Sequence, residues 1–261
     1  MDIVTFPGFN ISIEIPKVAF SILNVDIHWY AVCIVFGIVV ALVLCKISKE
    51  KFYIDFVQVL EIMLIALVFG VIGARIYYVL FNLDIYLENP IEIFNIRNGG
   101  LAIYGGFIAG IIVIIELCKK YGINKLDFFD YIVPFVSLAQ SIGRWGNFFN
   151  IEAYGYETDS LFRMGIFTSQ GYMEVHPVFL YECIICFAMF FILRAMQKKR
   201  KFVGEICFTY LAMYSLARFF LEGLRQDSLM FMSFRVSKVL SLIIFVYSCY
   251  FLIKERIKKM H

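Results

Sequence analysis

The stretch SIGRWGNFFNIEAYG (141–155) gathers Arg144, Asn147, Asn150, Glu152 and Gly155 in a chain that is 61% hydrophobic. A second set, Tyr214, Arg218, Glu222 and Arg225, recurs at steps of four, four and three residues within YLAMYSLARFFLEGLRQD (210–227). At about 100° per residue, these four share one stripe of a helix. Arginine offers a planar fork of N–H donors suited to phosphate oxygens, and asparagine orients oxygens without adding charge. Arg75, after GVIGA (70–74), is the third arginine inside an apolar run. An ionisable group at membrane depth costs several kcal/mol, so each invites a functional reading. Three guanidiniums at one depth predict an anionic ligand between them, in a polar cavity open to the outer leaflet. The competing reading of the stripe is a helix stapled to its neighbours by an Arg–Glu pair.

A third set is NGGLAIYGGFIAG (98–110), in which glycine pairs flank LAIY and Gly106 and Gly110 sit four apart. Close helix packing explains such spacing. The functional reading is a broken segment whose backbone amides, at Gly105 and Gly106, line a headgroup site. DIHWY (26–30) and HPVFLYE (176–182) open two apolar runs. Trp29 reads as an interfacial anchor and His176 as a helix start. His28 and Tyr30 stand at the mouth of the suspected cavity as candidates for ligand contact, whereas His261 reads as inert.

These residues must be held by membrane-spanning helices. Apolar runs near 28–45, 57–80, 101–118, 129–149, 177–196, 204–223 and 236–253 have the roughly 20-residue length that crosses hydrocarbon. Only helices satisfy their own backbone there. The expectation is therefore an all-α integral membrane protein, a single domain (1–261) of about seven transmembrane helices. The segment 150–175 is expected to form a small extracytoplasmic cap. More than half of the 24 Lys and Arg residues follow alternate spans, at Lys46, Lys49 and Lys51, at Lys119, Lys120 and Lys125, at Arg194 and 198–201, and at 254–259. The positive-inside rule then puts the N-terminus outside and the C-terminus in the cytoplasm. The net charge of +3 thus reports topology, with no nucleic acid implied. Lys17 is the only basic residue in the first 25, so no cleavable signal peptide is expected.

Glu116, Glu205 and Lys238 lie near span ends and are expected to snorkel. Structural pairing is the reading for Glu61 and Asp130. The seven cysteines, including the Cys183–Cys186 CxxC, read as packing residues. No His, Asp or Glu cluster has metal-ligand spacing, so no metal or cofactor is expected.

GRWGNFFNIEAYG (143–155) resembles the signature G-R-x-G-N-F-x-N-x-E-x-x-G of prolipoprotein diacylglyceryl transferases. HWY (28–30), GARIYYV (73–79), GGLAIYGG (99–106), HPVFLYE (176–182) and RFFLEGLRQD (218–227) are similar to other blocks of that family, in the same order. The resemblance implies seven spans in the bacterial cytoplasmic membrane. It also implies transfer of the diacylglyceryl group of phosphatidylglycerol to the lipobox cysteine thiol of a preprolipoprotein. The products are a thioether and glycerol 1-phosphate. Arg144 and Arg218 would stabilise the leaving phosphate. Tyr30, Arg75, Gly105, Gly106, Asn147, Asn150, Glu152, Gly155, Tyr214, Glu222 and Arg225 would bind substrate. Many members read GG-x-x-x-H-GG, with a catalytic role assigned to the histidine, where this chain has Tyr104. The base is therefore open between Tyr104, which as a phenol fits headgroup binding better, and His28. A lipid transporter or flippase is the alternative function; it predicts internally repeated halves, and none is read here.

Overall fold

The computed structural model describes residues 2–259 apart from 49–51, 53, 97–98, 169–170, 227–229 and 232–233. Expectations for Lys49, Lys51 and His261, and the Asn98 and Asp227 ends of two motifs, lie outside the described residues. The chain divides into two compact units, residues 1–50 with 129–261, and residues 51–128.

Long helices occupy every expected span. They are α1 (Trp29–Ile47), α2 (Phe56–Leu80), α4 (Ile103–Lys120), α5 (Lys125–Asn150), α6 (Val178–Gln197), α7 (Glu205–Leu224) and α8 (Val236–Lys258), with a short α3 at Leu83–Glu88. Of these, α1, α2, α6 and α8 are long and apolar enough to cross a membrane. The helices outside that group are more interrupted by charge, with Glu116, Lys119 and Lys120 in α4, Asp127, Asp130 and Arg144 in α5, and Glu205, Arg218 and Glu222 in α7. Outward faces are apolar, as at Val35, Phe36, Val39 and Val43 of α1 and Leu242, Ile243 and Val246 of α8. Buried positions instead include Ser137, Ser141, Gln197 and Ser215. Polar groups inside and hydrocarbon outside is the pattern that a lipid solvent selects.

The all-α expectation needs correction, because the fold also contains strands. In the first unit, β1 (Asp2–Phe6), β2 (Ile11–Ile15), β5 (Met164–Thr168) and β6 (Gly171–Val175) form one antiparallel sheet in the order β2-β1-β5-β6. Val4, Ile15, Met164, Ile166 and Val175 pack from it onto Phe148 of α5 and Phe179 of α6. β-Branched residues run together in DIVTF and alternate with polar ones in ISIEI, which suits strands. The expected 150–175 cap thus supplies only half of the sheet, and the chain start supplies the rest. Two further hairpins pair β3 (Val18–Ile22) with β4 (Val25–His28), and β7 (Met230–Phe231) with β8 (Phe234–Arg235).

Side-chain-to-carbonyl bonds tie the helices of this unit together. Ser137 and Ser141 donate to the carbonyls of Cys186 and Cys183, both at 2.8 Å, joining α5 to α6. Tyr131 donates to Cys45 O at 2.9 Å, joining α5 to α1. The fully buried Asp130 accepts from the backbone N–H groups of Gly204 and Cys207 and pairs with Arg200, each at 2.7 Å. A carboxylate there satisfies first-turn donors of α7 and complements its dipole.

In the second unit, α2 packs against α4 through glycines. A Cβ at Gly105 would lie 2.4 Å from Gly73 O and 2.3 Å from the Tyr77 Cβ, so only hydrogen fits. Gly106 faces Gly70 in the same seam. Tyr121, just past α4, donates a short hydrogen bond to Glu61 of α2. That bond to a carboxylate raises the phenol above its ordinary pKa.

Candidate active site

The centre of the first unit is one buried carboxylate. Glu182, one turn into α6, accepts from Arg144 Nη2 at 2.5 Å and Tyr214 Oη at 3.0 Å on one oxygen, and from Arg218 Nη1 at 3.2 Å on the other. Arg218 reaches on to Glu222 at 2.7 Å, one helical turn further along α7. Arg144 Nη1 donates to Asn147 at 3.1 Å, and Asn147 donates to Glu152 at 2.8 Å. One continuous network therefore runs Glu152–Asn147–Arg144–Glu182–Arg218–Glu222, with Tyr214 on its central member.

The order of burial along it matters. The side chains of Glu182 and Glu222 are 3% and 2% exposed, whereas those of Arg144 and Arg218 keep 23% and 17%. The carboxylates are the most deeply buried members, and the arginine side chains keep more exposure. Each carboxylate offsets the cost of sinking an arginine and fixes its orientation. Each arginine has five N–H donors, more than its carboxylate partners take up here. The arrangement is a pair of preset, partly exposed arginines with donors to spare, which suits an anion.

Local sequence explains how the network is held. A Cβ at Gly146 would come within 2.8 Å of the Tyr30 ring, so glycine there lets Tyr30 of α1 lie directly on α5 beside Arg144 and Asn147. A Cβ at Gly155 would meet His176 Cβ at 2.7 Å and Leu224 O at 2.8 Å. Glycine at 155 lets the chain leaving α5 pass between the start of α6 and the end of α7. There Gly155 bridges to Arg225, Tyr156 N bonds to Leu224 O, and Gly155 N bonds to His176 O, both at 2.9 Å. Arg235, at the start of α8, donates to the Glu222 carbonyl and, at 2.7 Å, to Tyr156.

Of the residues singled out by sequence, the network unites Arg144, Asn147, Glu152, Tyr214, Arg218 and Glu222. Tyr30, Gly155 and Arg225 lie along its border, and Asn150 ends α5. His28 is exposed at the end of β4, immediately before α1. Arg75, Tyr104, Gly105 and Gly106 belong to the second unit. Tyr104 is the second residue of α4 and half-buried. Arg75 makes its own set of bonds in that unit. Its Nε bonds to Ile93 O, Nη1 to the carbonyls of Gly99 and Gly100, and Nη2 to those of Glu92 and Asn95. Five carbonyls take its five N–H donors, and Tyr86 covers the guanidinium carbon at 5.1 Å. Arg75 thus moulds the 92–100 loop and has no N–H left for an anion in this arrangement.

Two participants had no place in the sequence reading. Arg235 shows no motif, but Glu182 had a readable signal, a carboxylate inside an apolar helix. Among the described residues, no group of three or more His, Cys, Asp or Glu side chains could hold a metal ion.

Known proteins share this arrangement of sequence. Residues 17–254 match the family described as prolipoprotein diacylglyceryl transferase. The phosphatidylglycerol–prolipoprotein diacylglyceryl transferase of Finegoldia magna is 43% identical over 232 residues, which cover 88% of this chain and 92% of that protein. That of Clostridium novyi is 41% identical over 249 residues, covering 92% and 96%, and that of Streptococcus pneumoniae is 44% identical over 227 residues, covering 84% and 86%. A family match over most of the chain, with relatives at this identity and coverage, agrees with the quoted motifs: this membrane protein belongs to the prolipoprotein diacylglyceryl transferase family.

Proposed function

We propose that the protein transfers the diacylglyceryl group of phosphatidylglycerol to the lipobox cysteine thiol of a preprolipoprotein, in a bacterial cytoplasmic membrane. The observation that carries the reading is the Arg144–Glu182–Arg218 arrangement. The thiolate sulfur attacks the glyceryl carbon, the C–O bond to phosphate breaks, and glycerol 1-phosphate leaves. Negative charge on the phosphate grows as that bond breaks. Arg144 and Arg218 meet it with cations already oriented by buried carboxylates, and such preorganisation stabilises developing charge. Asn147 and Asn150 orient headgroup oxygens. Glu152, at the exposed end of the network, and Glu222 bind glycerol hydroxyls or steady the arginines. Tyr30, Gly155, Tyr214 and Arg225 complete the wall of the site.

A free thiol has a pKa near 8.5, and only the thiolate attacks well. The nearby guanidiniums favour the thiolate. Tyr104 holds the headgroup through its hydroxyl, with Gly105 and Gly106 beside it. His28, exposed at the mouth of α1, is the alternative proton acceptor. All seven long helices span the membrane, with the N-terminus outside and the basic ends in the cytoplasm. No observation favours the flippase alternative.

The test is a product assay with purified protein, phosphatidylglycerol and a lipobox peptide, read by mass. Wild type is expected to yield a diacylglyceryl thioether and free glycerol phosphate. Arg144→Ala, verified as folded by a thermal melt, is expected to yield neither. No product from protein that retains bound lipid would refute the transferase reading.

A further inference from the structure

The hairpin of β3 and β4 sits on the N-terminus of α1. Phe20 pairs with Ile27, Ser21 with Asp26, and Ile22 with Val25. Directly paired residues share a face and successive ones alternate. One face therefore carries Phe20, Ile22, Val25 and Ile27, and the other carries Ser21 and Asp26. The polar face is closed on itself, with Ser21 Oγ donating to Asp26 at 2.6 Å. The apolar face is uncovered: Phe20 is 51% exposed, Ile22 55% and Val25 37%, and Leu23 at the tip is 93% exposed. No Lys or Arg occurs in residues 18–28.

The tip sharpens the point. Leu23 and Asn24 have φ of 49° and 61°, the left-handed pair of a two-residue hairpin turn. Asn and Gly suit such positions, and leucine does not. Leu23 accepts backbone strain and finds almost no protein contact in return. Moreover, a two-stranded hairpin is marginal in water unless something packs on its apolar face.

We propose that this hairpin inserts its apolar face and its Leu23 tip into the lipid leaflet that meets the N-terminal end of α1. Lipid is the occupant because of where the hairpin is anchored. β4 runs without a break into α1, a helix long and apolar enough to cross a membrane. The first helical amide, Trp29 N, bonds to Lys17 O at 3.0 Å, which fixes the hairpin's other strand to the same point. Five residues at about 3.3 Å each keep the tip within roughly 17 Å of the helix mouth, inside the depth of an interface and adjoining acyl region. Asp26, the only formal charge in the hairpin, lies on the opposite face. A polar back, an apolar front and an apolar tip make a short wedge beside the first span.

Spin labels at Leu23→Cys and Asp26→Cys, in a Cys249→Ser background, test it in vesicles of phosphatidylglycerol and phosphatidylcholine. The label at 23 is expected to collide more with dissolved oxygen than with a water-soluble nickel chelate, and the label at 26 the reverse. Neither result is expected to change when lipobox peptide is added. Nickel-dominated collisions at 23 in peptide-free vesicles would overturn the proposal. Shielding at 23 that appears only with peptide would overturn it in favour of a peptide dock. If Leu23→Cys fails to fold by thermal melt, Ile22→Cys carries the same expectation. The labels read depth and not turnover, so a failed transferase assay leaves this result interpretable.

Discussion

Glu182 receives two arginines and a tyrosine on one carboxylate that is 3% exposed on its side chain, and this determines what its removal does. As Glu182→Gln, the site would hold two guanidiniums with only Glu222 opposite them. Breaking a buried pair by removing one partner costs about 3–5 kcal/mol, so the melting temperature is expected to fall. Arg144 would also lose its carboxylate anchor, and turnover is expected to drop by about 100-fold, the loss seen when one oriented donor to a developing anion is removed. A mass-based product assay alongside a thermal melt checks both. Tyr104→Phe is expected to behave differently. It removes only a hydroxyl, so the KM for phosphatidylglycerol should rise while kcat falls less than about 10-fold. Loss of nearly all turnover with lipid binding intact would instead give the phenol a chemical role. At this scale much of the site was legible, because charge inside an apolar run marks itself by its energetic cost. The rule that picked out Arg144 and Arg218 applied equally to Glu182, but HPVFLYE was read for its histidine and proline. The surroundings of Arg75 are not legible in the sequence, for a different reason. Nothing local says that residues 92–100 fold back to offer it five carbonyls.

Helices and strands were not equally readable. The long helices lie within a few residues of the expected spans, because an apolar run bounded by charge is a local feature. The four-stranded sheet joins residues 2–15 to residues 164–175, a pairing across most of the chain that no window of sequence displays. ISIEI and MGIFT are each too short to distinguish a strand from a loop by periodicity alone. The packing devices between helices make sharper predictions. Asp130 closes the N-terminus of α7 through two amides and Arg200. Asp130→Asn is expected to lower stability by about 3 kcal/mol, the scale for breaking a buried pair. Activity per folded molecule should stay within about 2-fold. A denaturation series beside the product assay separates the two effects, and a loss of activity without a loss of stability would contradict the assignment.

The distribution of polar and apolar surface across the molecule carries the last prediction. In the first unit, the sheet lies with the start of α1, the end of α5 and the start of α6. The opposite ends carry Lys46 in α1, Arg194 and 198–201 at the end of α6, and Arg256 and Lys258 in the last turn of α8. Basic residues resist translocation, so the sheet is expected outside and the lysine-rich ends inside. Connecting the two sides requires an odd number of crossings between the first strand and the C-terminal end of α8. Ser12, exposed on β2, and Lys259, exposed just past α8, report on the two sides. In a Cys249→Ser background, a membrane-impermeant maleimide should label Ser12→Cys in intact cells or spheroplasts. Lys259→Cys should be labelled only after the membrane is opened. The reverse pattern would invert the protein. Labelling of both sites from one side would require an even number of crossings, and one of the less apolar helices α4, α5 or α7 would then be the first expected to leave the membrane. The buried network of Arg144 and Arg218 lies on two of those three helices, so an inverted or even-numbered topology that displaced α5 or α7 would remove the site along with the span.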